Sequence, residues 1–211
     1  MLRAARASLS KPLTYGEFLE KLTPKERANA ERHVADCQSE ADPRHVALWQ
    51  RLSSALMTLA GHSAKFNRRE SLQFYIADGK YRMQVFALED LRDGKLTVYC
   101  GDVLELATRS GLLASRKSKA DESKTYSIGT SREDLEIEQL DGTTPNPANF
   151  YKDMLGWNRR AVRVIVPVTA TDSQVRAVET LCAMSVHGKT KAAAAVPAAP
   201  ARRAPVPAGR A

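Results

Sequence analysis

Leu72-Gln73-Phe74-Tyr75-Ile76-Ala77-Asp78-Gly79-Lys80-Tyr81-Arg82-Met83-Gln84-Val85-Phe86 is the stretch whose reading decides the fold. Leu72, Phe74 and Ile76 alternate with Gln73 and Tyr75. After Asp78-Gly79 the alternation resumes, with Tyr81, Met83 and Val85 against Arg82 and Gln84. A period of two puts successive side chains on opposite faces of a strand. Asp-Gly between two such runs favours a tight hairpin turn, because its central residues must tolerate positive φ. Asp93-Gly94 then introduces a third run, in which Leu96, Val98 and Cys100 alternate with Lys95, Thr97 and Tyr99. The pattern predicts consecutive antiparallel strands over 73–77, 80–88 and 95–100.

Upstream of this meander the period changes to that of helices. Thr14 and Glu17 are spaced as a capping box, with Leu13 and Phe18 as its hydrophobic staple. Thr23-Pro24-Lys25-Glu26 repeats the start signal with proline at the first helical position. The helix that follows runs to about Cys37 and is mostly polar. Asp42-Pro43 opens a third helix, in which Val46, Trp49, Leu52, Leu56 and Leu59 recur at three- and four-residue steps and Gly61 marks the stop.

Downstream the elements mix. Asp102 and Glu105 frame a short helix ending near Gly111, and the charged stretch from Ser115 to Lys124 reads as a loop. Tyr126 to Gly129 and Leu135 to Leu140 read as strands, with Asp141-Gly142 a further turn and Ala148 to Leu155 a helical segment. Val162, Val164, Val166 and Val168 alternate in another strand. Pro167 removes a ladder donor, which points to a terminal or edge position for that strand. Asp172 to Val186 is an amphipathic helix. Helices, then a meander, then mixed elements predict an α+β fold with one helix-covered antiparallel sheet. The domain organisation expected is a flexible basic arm over 1–12 and one globular domain over 13–188, with a disordered Ala/Pro/Arg tail over 189–211. The globular part divides into a helical section, 13–61, and a sheet-containing section, 72–188. No internal repeat stands out.

Charge is concentrated at the ends. The formal net charge of the 211 residues is +8. Met1 to Pro12 carry Arg3, Arg6 and Lys11 and no acid, and His187 to Ala211 carry five bases and no acid. Leu13 to Val186 balance 24 acids against 24 bases, so the body lacks the net basic charge usual in a dedicated nucleic-acid fold. No apolar run approaches the roughly 18 residues that cross a bilayer, so no membrane partner is expected. Three dispersed cysteines, Cys37, Cys100 and Cys182, fit a reducing compartment and a cytoplasmic location. Met1 to Pro12 also have the composition of an organellar import segment. Nothing in the sequence sets an oligomeric state.

Candidate chemistry is sparse. His33 and Cys37, four apart on one helix face, are spaced to chelate a metal. Leu22-Thr-Pro-Lys-Glu-Arg-Ala-Asn-Ala-Glu-Arg-His-Val-Ala-Asp-Cys37 resembles the helix that opens zinc-binding anti-sigma domains. That family places a second cysteine three positions on, where this chain has Glu40. The resemblance covers sixteen residues and implies a helical relative that has lost its metal. Two ligands are not a set, so the reading is a solvent-facing amphipathic helix with no metal and no cofactor. Gly-x-Ser-x-Gly is absent, since Gly61-His62-Ser63 continues as Ala64-Lys65, and no phosphate-cradling glycine loop occurs. Glu136 and Glu138 share one strand face and read as a solvated pair.

The segment Phe150 to Arg160 is the most suggestive. Tyr151, Trp157, Asn158, Arg159 and Arg160 combine the residue types that dominate binding hot spots. The alternative is that its aromatics plug the sheet edge. In the tail, Lys189, Lys191, Arg202, Arg203 and Arg210 are candidate contacts for nucleic acid or another polyanion through counterion release. Pro197-Ala198-Ala199-Pro200 also fits a Pro-x-x-Pro ligand. The sequence thus points first to a non-enzymatic protein-interaction module with a protein partner. The alternatives are a nucleic-acid-associated protein using its basic termini, and an enzyme whose groups converge only in space.

Overall fold

Each helix of the N-terminal section starts where a side chain can take up free backbone donors. The computed structural model of the chain describes residues 11–40, 42–61, 63–68, 71–78, 81–90, 94–101, 103–117, 124–140 and 161–194. Thr14 caps α1 (Tyr15–Glu20): its hydroxyl accepts from the Glu17 backbone N–H at 3.2 Å, and the Glu17 carboxylate accepts from the Thr14 N–H at 2.7 Å. Thr23 and Glu26 repeat the exchange ahead of α2 (Pro24–Glu40). Asp42 caps α3 (Pro43–Ala60), accepting from Arg44 N–H at 2.9 Å. Gly61 ends α3 at φ 69°, a left-handed conformation in which its N–H reaches the Met57 carbonyl at 2.8 Å. Val46, Trp49, Leu52 and Leu56 are buried as their spacing predicts, and Leu59 is half-buried.

The predicted meander is present and longer than expected. β2 (Ser71–Asp78), β3 (Tyr81–Asp90) and β4 (Lys95–Gly101) pair antiparallel in order. Asp78 pairs directly with Tyr81, which makes 79–80 the link between β2 and β3. Gly94 takes φ 78° just before β4, the positive value that the second Asp-Gly pattern anticipates. A strand that the sequence reading missed, β1 (Ser63–Arg68), adds to β2.

After α4 (Leu104–Arg109) a second meander follows: β5 (Leu113–Lys117), β6 (Lys124–Ile128), β7 (Asp134–Leu140) and β8 (Ala161–Pro167). β5 occupies the start of the stretch expected to be a loop from Ser115. Leu113 is buried and the other four residues are small or charged, so the strand shows no alternating apolar signal. The expected turn at Asp141-Gly142 and helical segment at 148–155 lie outside the described residues.

The two meanders join into one sheet of eight described strands, ordered β1-β2-β3-β4-β8-β7-β6-β5, all antiparallel. The strand containing Pro167 is therefore central, and the expectation of a terminal or edge strand is corrected. Pro167 is its last residue, opposite Lys95, so the missing donor falls at the strand's end. The ladder resumes one step on, where Val168 N–H donates to the Gly94 carbonyl at 2.9 Å. Four strands follow α3 and four more follow α4, although the sequence shows no repeat.

Helices cover one face of the sheet, as the α+β reading requires. α3 lies over β1, β2 and β3, α5 (Asp172–Ala194) lies over β4 and β6, and the two helices touch. α5 continues past the expected end at Val186 through Ala194, where a run of alanines favours helix. Val162, Val164 and Val166 of β8 face the helices and are fully buried, while Arg163, Ile165 and Pro167 are only half-buried. Glu136 and Glu138 share the opposite face and are exposed, as predicted, and Glu138 pairs with Arg163 across the strands. No described helix is long and apolar enough to cross a membrane.

Candidate functional site

α2 presents Ala30, His33 and Cys37 inward at three- and four-residue steps, and all three are buried. This overturns the reading of α2 as a solvent-facing helix at these positions: the inward stripe is built from small and polar residues, so hydrophobicity alone does not reveal it. β3 supplies the counterpart. Phe86, Leu88 and Asp90 follow one another on the helix-facing side, so strand parity carries the Asp90 carboxylate into the core. His45, in the first turn of α3, completes the group.

The four side chains meet at one carboxylate oxygen. Asp90 Oδ2 lies 3.0 Å from His33 Nε2, 2.8 Å from His45 Nε2 and 3.5 Å from Cys37 Sγ. Cys37 Sγ and His33 Nε2 are 3.6 Å apart. Exposure is 3% for His33, 7% for Cys37, 2% for His45 and 1% for Asp90. The His33 ring sits against Trp49 and Phe66, with centroids 4.9 and 5.8 Å away, so one wall of the cluster is aromatic. Nδ1 of both histidines is buried with no hydrogen-bond partner. Whichever nitrogen carries the proton, each imidazole leaves one polar atom unsatisfied, at about 1–3 kcal/mol each.

A dication with a preference for N, O and S donors fits this set, because His33, Cys37 and Asp90 offer one ligand atom of each kind within 4.8 Å of one another. Helix periodicity alone could not find Asp90, 53 residues on from Cys37. The odd-numbered alternation of Tyr81, Met83 and Val85 points away from it, because the ladder shifts register at Phe74/Tyr75 and one extra residue of β3 switches the parity to Phe86, Leu88 and Asp90.

Cys100 of β4 and Cys182 of α5 form a second buried polar contact, both fully enclosed. The hydrogen bond with Cys100, reinforced by burial, pushes the Cys182 thiol well above its ordinary range. A thiol held protonated is a poor nucleophile.

An open groove of about 490 Å³ lies between α1, α3 and α5, with Leu13, Tyr15, Arg51, Ala55, Arg176 and Glu179 on its walls. Arg51 is engaged by Glu179 at 2.8 Å and by Asp172, and Arg176 reaches Asp172 at 2.5 Å. The Tyr15 hydroxyl is buried without a partner, and burial, helped by the Glu31 charge, pushes its pKa up to about 12. Between 10.0 and about 12 the folded chain holds this proton while the unfolded chain releases it, so stability falls as pH rises through that window. Tyr15→Phe should therefore flatten the loss of denaturation midpoint between pH about 10 and about 12. Equal slopes in variant and parent would remove Tyr15 as the cause.

Of the residues singled out in the sequence, Tyr151, Trp157, Asn158, Arg159 and Arg160 lie outside the described residues, as do Arg202, Arg203 and Arg210. Lys189 and Lys191 fall on the last turns of α5. Set against protein-family models, curated proteins and solved structures, the chain matches none of them, and its function is to be read from its own geometry.

Proposed function

We propose that this chain is a non-enzymatic protein-interaction module that meets its partner through the connection at 141–160. The observation that carries the reading is the register at the end of one hairpin. Leu140 of β7 and Ala161 of β8 are direct cross-strand partners. Antiparallel neighbours paired at that point need only about 2–5 linking residues. Twenty residues stand there instead, far more than the topology requires, and long connections on a rigid scaffold commonly carry function. They include Tyr151, Trp157, Arg159 and Arg160, types that concentrate binding energy.

The burial pattern supports binding over catalysis. His33, Cys37, His45 and Asp90 are sealed in the core, as are Cys100 and Cys182, so a solvent-borne substrate does not reach them. In the open groove, Arg51, Arg176 and Glu179 are engaged in ion pairs.

The test replaces 141–160 with Asn-Gly, a two-residue hairpin turn. The shortened protein should keep its far-UV spectrum and its melting behaviour. Affinity capture, with and without nuclease treatment, would then compare three baits: the parent, the turn-replaced protein and Trp157→Ala/Arg159→Ala. A partner identified by mass spectrometry that binds the parent and is lost by both variants supports the reading. Partners held equally by all three overturn it. Binding that disappears with nuclease treatment transfers the function to nucleic acid.

A further inference from the structure

The geometry points to a binding site for one zinc-type divalent transition-metal ion, held by His33 Nε2, Cys37 Sγ and the Asp90 carboxylate. Zinc bonds of about 2.0–2.3 Å at tetrahedral angles set ligand atoms about 3.3–3.8 Å apart. The Cys37–His33 and Cys37–Asp90 separations are 3.6 and 3.5 Å, the edges of such a tetrahedron. The His33–Asp90 edge is 3.0 Å and has to open by roughly 0.3–0.5 Å. The three donors thus outline one triangular face around a point equidistant from them.

Charge favours the same assignment. A carboxylate enclosed to this depth needs a compensating cation. A dication bound by one carboxylate, one thiolate and one neutral imidazole is a neutral unit. The mixture of N, S and O donors suits zinc, cobalt or nickel and excludes a magnesium- or calcium-type site, which calls for oxygen ligands. The unpartnered Nδ1 of His33 does not weigh against the ion, since one ring nitrogen is unsatisfied with or without it. His45 reaches the group through the same Asp90 oxygen at 2.8 Å and acts as a positioning residue, fixing the carboxylate as outer-shell donors do. The sequence alone had argued for no metal because α2 carries no second cysteine. The fold supplies the further ligand from β3.

Two measurements on untagged full-length protein decide the matter. Protein from zinc-supplemented culture should carry about one equivalent of zinc by elemental analysis. After chelation and desalting, titration with Co²⁺ should produce visible bands of a tetrahedral ion and a near-ultraviolet thiolate-to-cobalt charge-transfer band, saturating at about one equivalent. Cys37→Ser should abolish the charge-transfer band. His45→Gln should keep that band while lowering Co²⁺ affinity about 10–100-fold, an effect that a purely packing role would not produce. The parent protein's titration needs no variant to fold. If it gives no spectrum and the culture-derived protein carries no zinc, the site is a metal-free His–Asp–His hydrogen-bonded cluster and the proposal is overturned. A charge-transfer band that survives in Cys37→Ser overturns it as well, by placing the ion on another thiolate.

Discussion

Trp49→Ala should destabilise the fold by about 3–5 kcal/mol, the range for deleting a large aromatic side chain from a packed core. Trp49 is 2% exposed and sits where four elements converge. Its ring meets Tyr15 and Phe18 of α1 at 6.0 and 6.3 Å, His33 of α2 at 4.9 Å and Phe66 of β1 at 6.1 Å. Three of these contacts are edge-on, the arrangement that aromatic quadrupoles favour. The cavity left by alanine cannot collapse easily, because its walls belong to different elements, each fixed by its own cap or ladder. Chemical denaturation should show a lower midpoint with an unchanged slope. Leu59→Ala, at a half-buried position on the same helix, should cost clearly less. A loss below about 1 kcal/mol for Trp49→Ala would show that the aromatic cluster is not a core.

Asp90→Ala should be comparably damaging for a different reason, at about 3–5 kcal/mol. The carboxylate is the common hydrogen-bond partner of His33, His45 and Cys37. Its removal leaves two buried imidazoles without that partner. Asp90→Asn, which keeps the shape and one acceptor oxygen, should lose less. The comparison belongs in chelator, so that it measures the protein network alone. A cycle of His33→Ala, Asp90→Ala and the double variant should show coupling of about 0.5–3 kcal/mol, since contacting residues are not additive. Additive losses would mean that the groups adjoin without supporting one another. Replacing all four by apolar residues of similar volume should be tolerated far better than losing Asp90 alone.

Much of the fold was legible because its signals are local. The stripe on α3 reflects one buried face, the alternation in 72–100 marks strands even though β4 is buried on both faces, and the Thr-x-x-Glu starts satisfy their backbone donors within four residues. What escaped the sequence was relational. β5 has one buried leucine and four small or charged residues, and its pairing with β6 holds it as a strand. The place of β8 was misjudged because Pro167 argues for an edge only when it stands inside a strand, whereas here it is the strand's last residue. The candidate site was half visible. The spacing of His33 and Cys37 marked one helix face, but which face turns inward was decided by what α2 packs against. Asp90 became a partner only when the end of β3 came within reach of Cys37 and His33, and no periodicity in α2 encodes that distance.

The central seam between β4 and β8 has a consequence for how the chain reaches this state in a cell. Gly101 pairs with Ala161 and Lys95 with Pro167, so β4 is made at least sixty residues before its neighbour. The strands of the first four-stranded unit follow one another through short connections and pair locally, whereas the seam waits for β8, which lies beyond the twenty-residue connection at 141–160. At about 5–20 residues per second, translation leaves the β4 edge uncovered for roughly 3–12 s. During that interval a nascent chain displays a row of free backbone donors and acceptors flanked by Leu96, Val98 and Cys100, a template that a neighbouring nascent chain on the same polysome could extend. The burden on chaperones therefore falls on the first half of this protein, and it lifts when β8 emerges and docks.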